Sequence, residues 1–174
     1  MTGLGDPLER LANALDKAGV KYVLIDVGGV NFYALDAGTV FTTQDRDIFL
    51  PPDPDNLLAA WQACADLSLR LLVGREPLDS PRDRRLAEHV IAGRTLVRAT
   101  DDRALAADLT LVMAGFAFDE VWEARRIFHI GETEVPVARL EHIVRSEHAA
   151  GRDKDRLFLA THRDALEQML RGGD

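Results

Sequence analysis

Thr42-Thr43-Gln44-Asp45-Arg46-Asp47-Ile48-Phe49-Leu50 sets two acids, two residues apart, just before three apolar residues and a proline stop, Pro51-Pro52-Asp53-Pro54. In an extended strand, residues two apart share a face. Asp45 and Asp47 then project side by side, and Ile48, Phe49 and Leu50 anchor the strand in a core. Adjacent carboxylates repel each other, and a divalent cation relieves that repulsion. Magnesium prefers hard oxygen ligands and typically takes one or two carboxylates together with substrate phosphates. The same pattern also suits an exposed strand end before a turn, so its meaning rests on what surrounds it.

Upstream, Asp6-Pro7-Leu8-Glu9 carries a cap, a first-position proline and a capping-box acid, and predicts a helix with Leu8, Leu11 and Leu15 on one stripe, closed by Gly19. Residues 22–25 read as a strand, Gly28-Gly29 breaks it, and 30–35 read as a short helix. Glycines between a strand and a helix let backbone N–H groups approach a phosphate, and a helix N-terminus favours an anion; an ordinary turn uses the same residues. Thr42 and Thr43 offer hydroxyl donors to phosphates, or serve only as strand formers.

Downstream, Asp55 is expected to cap a helix reaching about residue 66, and 70–73 read as a strand. Ser80-Pro81-Arg82-Asp83 is expected to open a helix to about residue 92. Residues 95–99 and 105–113 read as strands, and 118–125 as a short helix. A hairpin joins 127–130 to 134–137 across Gly131. Two helices, about 139–150 and 153–170, finish the chain with Gly151 between them. In the 105–113 strand, Asp108 interrupts an apolar pattern, which is costly unless the charge is paired, hydrogen-bonded or metal-bound. A metal-bound triad of Asp45, Asp47 and Asp108 accounts for all three acids together, whereas a salt bridge to a nearby arginine, or an edge strand with Asp108 facing water, accounts for Asp108 alone.

Irregular alternation of helices and strands with one hairpin predicts an α/β or α+β layer protein with a mixed sheet. The 174 residues suit a single domain, with a core over about 8–138 and C-terminal helices over about 139–171. No apolar run approaches the roughly 20 residues of a membrane span. There is also no basic-then-apolar leader, so the expectation is a cytoplasmic protein without membrane association. The net charge of −8 argues against a broad nucleic-acid surface. Arg82, Arg84, Arg85, Arg94 and Arg98 read as a solvated helix face rather than a basic patch. The single Cys64 reads as a small buried hydrophobe. The five histidines, His89, His129, His142, His148 and His162, show no helical zinc spacing. That counts against a further possibility, phosphoester hydrolysis by an acid-and-metal site on another fold.

Four segments in order, "KYVLIDVGGVNFYAL", "TTQDRDIFL", "AADLTLVM" and "VPVARLEHIVRSEHAAGRDKDRLFL", resemble the bacterial nucleotidyltransferase-fold proteins related to AbiEii toxins and minimal nucleotidyltransferases. The resemblance covers about residues 8–165. It implies a nucleotidyltransferase fold in which Asp45, Asp47 and Asp108 bind magnesium or manganese. Gly28, Gly29, Thr43 and Lys154 are then the nucleotide-contacting candidates. The implied activity is transfer of a nucleoside monophosphate from a nucleoside triphosphate to a hydroxyl acceptor: a tRNA end, a protein or a small molecule. A catalytically degenerate nucleotide-binding or toxin–antitoxin module, with a cognate partner protein, is the alternative. Two departures bear on that choice. Asp26-Val27 precede the glycines where the family places glycines directly after the strand, and Glu147 stands where its C-terminal motif often has lysine.

Overall fold

A row of short strands, buried at its centre and exposed at its two edges, forms the spine of the protein, and helices close over it. The computed structural model describes residues 6–36 and 46–172. Helix α1 (Pro7–Lys17) begins at Asp6, whose carboxylate accepts from the Leu8 N–H, and it buries Leu8, Leu11 and Leu15 as the periodicity predicts. Strand β1 (Val23–Ile25) is wholly buried. Helix α2 (Asp26–Asp36) follows without a loop.

This corrects the expected break at Gly28-Gly29. The glycines lie inside α2, and the turn is made by Asp26, a non-glycine residue at φ +60°. Gly29 is there for packing. A Cβ at this position would stand 2.9 Å from Ile143 Cδ1 and 3.2 Å from the Leu24 carbonyl oxygen.

Strand β2 (Arg46–Phe49) contains Asp47 and drives Ile48 and Phe49 into the core. Asp45, Thr42 and Thr43 lie outside the described residues. Helix α3 (Pro54–Asp66) is capped by Asp53, not Asp55: Asp53 accepts from the Asp55 N–H, and Pro54 takes the first helical position, where its missing N–H costs nothing. It buries Cys64, whose thiol burial pushes up to about 12. Strand β3 (Arg70–Val73) turns at Gly74 into a two-residue strand β4 (Glu76–Pro77) that the sequence reading lacks.

Helix α4 (Arg84–Gly93) starts three residues later than expected because Asp83, rather than Ser80, accepts the Leu86 N–H. Strands β5 (Val97–Thr100) and β6 (Ala106–Thr110) follow, then helix α5 (Phe118–Ala124). The expected hairpin is present as β7 (Arg126–Ile130) and β8 (Thr133–Val137). The C-terminal segment is helix α6 (Leu140–Ala150), then α7 (Asp153–Thr161) and α8 (Arg163–Gly172). The one expected last helix is two, parted at His162.

The described strands form one mixed sheet in the order β4-β3-β5-β6-β2-β1-β8-β7. β2 runs parallel to β6 and antiparallel to β1, and β1 runs parallel to β8. The protein is therefore mixed α/β, as the alternation predicts. Among the described residues, no helix is long and apolar enough to cross a membrane.

Candidate functional site

Strand register brings the conspicuous charges together. Ile25 of β1, Asp47 of β2, Asp108 of β6 and Arg98 of β5 are directly opposed across four neighbouring strands. Opposed residues in a sheet project to the same face. The alternation along β6 fits this arrangement, with Ala107 and Leu109 buried and Asp108 and Thr110 on the other side. Asp26 follows Ile25 at the head of α2 and adds a third carboxylate beside Asp47.

These residues line a cleft of about 440 Å³ whose walls include Asp26, Asp47, Asp108, Ser146, Arg152 and Lys154. The last two come from the α6–α7 junction, where Gly151 at φ +61° reverses the chain. Two segments more than a hundred residues apart, Asp47 and Lys154, thus meet at one opening.

The cleft is electrostatically tense. Burial raises the proton affinity of Asp47 first. The Asp26 charge and a hydrogen bond between the two carboxyls raise it further, then the Asp108 charge does so, and Lys154 works the other way. A hydrogen bond between two carboxyl groups requires a proton on one of them. Asp108 is held differently. Arg98 Nε donates to its Oδ1 at 2.7 Å and Nη2 to its Oδ2 at 3.1 Å, a two-pronged pair across β5 and β6. The salt bridge weighed for Asp108 is therefore present, at a position that also faces the cleft. Arg98 is a strand residue and so leaves the helix-face group in which the sequence reading placed it; Arg84 of that group pairs with Asp55 at the surface.

Behind the cleft wall lies a second cluster. Arg152 grips Asp155 through contacts of 2.6 and 3.1 Å, and its Nη2 is 4.0 Å from Asp26 Oδ2. Asp155 is 5% exposed. Glu147 is 2% exposed, and neither of its carboxylate oxygens has a hydrogen-bond partner. Burial, followed by the charges of Asp26 and Asp155, pushes Glu147 up to about 8 against the pull of Arg152 and Lys154.

Of the residues singled out from sequence, Asp47, Asp108 and Lys154 share the cleft. Asp45 and Thr43 lie outside the described residues. Gly29 is spent on packing α2 against β1 and α6, and Gly28 lies within the same helix, so no glycine loop separates β1 from α2. Sequence reasoning marked Asp26 only as a departure from the family's glycine loop, and it did not choose Asp26, Arg98 or Arg152 as site residues. The available signal for Asp26 was an acid set directly after an apolar strand; for Arg98 it was one charge in the alternating Val97-Arg98-Ala99-Thr100.

The donor chemistry fits a hard divalent cation: clustered aspartate oxygens, mutually repelling, beside a cleft with its own cations. Among the described residues, no three histidine, cysteine, aspartate or glutamate side chains are gathered closely enough to hold a metal by themselves. No family model and no curated protein sequence matches the chain.

Proposed function

We propose that the cleft is the active site of a metal-dependent nucleotidyltransferase of the AbiEii-like, minimal-nucleotidyltransferase kind. The observation that carries this reading is the opposed pair Asp47 and Asp108 on neighbouring parallel strands, in a cleft that Lys154 and Arg152 also line. Asp47 and Asp108, with Asp45 by its place in the motif, would hold magnesium, which when bound supplies charge neutralisation to the triphosphate and to the departing pyrophosphate. Lys154 and Arg152 offer donors to phosphate oxygens. Arg98 fixes the plane of the Asp108 carboxylate and leaves each oxygen a second lone pair for the cleft. Asp108 Oδ2, the more loosely held oxygen, takes the proton of the attacking hydroxyl. The acceptor oxygen bonds to the α-phosphorus as the bond to the β-phosphate oxygen breaks. Catalysis is then positioning and charge neutralisation. The acceptor is a tRNA end, a protein hydroxyl or a small molecule, with a large RNA footprint disfavoured by the net charge of −8.

A second reading, a degenerate nucleotide-binding or toxin–antitoxin module, is favoured by one observation: Asp26 places a carboxylate at the helix head, where a phosphate would bind.

The test is a transfer assay with each labelled nucleoside triphosphate, magnesium or manganese, and total RNA or cell extract as acceptor. Label transfer is expected for the natural chain, with a loss of about a hundredfold or more in Asp45→Ala/Asp47→Ala. No transfer by a folded chain across all acceptors would shift the reading to the binding module.

A further inference from the structure

Asp26 sits where three features that favour an anion converge. It opens α2, an 11-residue helix whose first N–H groups lack intrahelical partners and carry partial positive charge. Its Oδ2 is 4.0 Å from Arg152 Nη2. It also lines the same cleft as Lys154. The anion in that position is the protein's own.

The backbone does not call for a carboxylate there. At φ +60°, glycine is unstrained and asparagine is tolerated about as well as aspartate. The carboxylate also carries an unfavourable relation to its neighbour, since it faces Asp47 across a hydrogen bond that needs a shared proton.

We infer that Asp26 is a built-in competitor for the phosphate position of this cleft, a carboxylate that an incoming polyphosphate must displace before Arg152 and Lys154 can hold it. This rests on reading the cleft as a nucleotide site. The consequence is a raised threshold: the cleft binds polyphosphate weakly until Asp26 is moved aside. Arg152 remains gripped by Asp155 when Asp26 moves, and its Nη2, 4.0 Å from Asp26 Oδ2, then faces the cleft without that second carboxylate beside it.

Calorimetric titration with inorganic tripolyphosphate and magnesium tests this on the full chain. Asp26→Asn keeps the shape and removes the charge, and Asp26→Gly removes the side chain. Both are expected to bind about tenfold or more tightly than the natural chain, with Lys154→Gln in the same background cancelling most of the gain. Thermal melts establish folding, and Asp26→Asn serves if the glycine variant does not fold. Equal or weaker binding by both variants, alongside natural-chain binding that depends on Lys154, overturns the competitor role and leaves the nucleotide-site reading standing. No binding by the natural chain or by any folded variant overturns both.

Discussion

The floor of the cleft and its wall are built on different principles. The floor is a row of opposed strand residues, Asp47, Asp108 and Arg98, placed by register, and its charges answer one another across single strand spacings. The wall is a helical corner, α6 turning into α7 at Gly151. It contains two buried acids in contrasting states: Asp155 is gripped by Arg152, while Glu147 has no hydrogen-bond partner. Like charges on the floor are gathered where solvent and ligands reach them. In the wall, one acid is neutralised by an ion pair and the other by holding its proton. The comparison teaches that buried charge is managed locally, by whichever partner the backbone brings within reach.

The largest effect is expected from breaking the wall. Arg152→Ala leaves Asp155 buried without its guanidinium and should destabilise the fold by about 2–3 kcal/mol, read as a lower midpoint in urea unfolding. Arg152 is half-exposed, which keeps the loss below that of a fully buried pair.

A substitution at the seam between floor and wall should cost somewhat less. Gly29→Ala pushes a methyl group against Ile143 Cδ1 and the Leu24 carbonyl, at 2.9 and 3.2 Å, and should cost about 1–2 kcal/mol. The Ile143→Val change in the same background should recover part of it, because the closer contact is the flexible end of that side chain. A loss that Ile143→Val does not relieve would place the conflict in the backbone of β1 instead.

Glu147 gives a change no larger than that, and one that vanishes at low pH. Its proton affinity in the folded chain is pushed up to about 8 from an ordinary 4.5. Between those values the folded chain holds more protons than the unfolded one, so stability falls as pH rises through that window. Asp47 contributes with the same sign. Glu147→Gln should therefore stabilise by roughly 1–2 kcal/mol at pH 8.5 and change little at pH 5. A variant whose melting temperature follows the natural chain at both pH values would show that Glu147 is hydrated or paired in solution.

Much of the floor was legible because its signals are local. Period-two spacing put Asp47 on a strand with a buried apolar end, and a charge in an apolar run marked Asp108. Whether Asp45 joins them lies outside the described residues. The hairpin, and the caps at Asp6 and Gly151, could be read from residue type alone. The caps at Asp53 and Asp83 were missed by two or three residues because several acids near each proline compete for one role, and only the three-dimensional path selects which oxygen meets a free N–H.

The order of acids, glycines and apolar runs determined that this chain forms a mixed α/β protein with a candidate acidic site. Those are properties of neighbours along the chain, set by strand and helix periodicity. Tertiary structure decided that Asp108 is shared with Arg98, that Gly29 packs rather than cradles, that Asp26 rather than a glycine heads α2, and that Lys154 reaches the floor. Each depends on which distant strand or helix comes alongside. That is settled by register and packing, which no local pattern encodes.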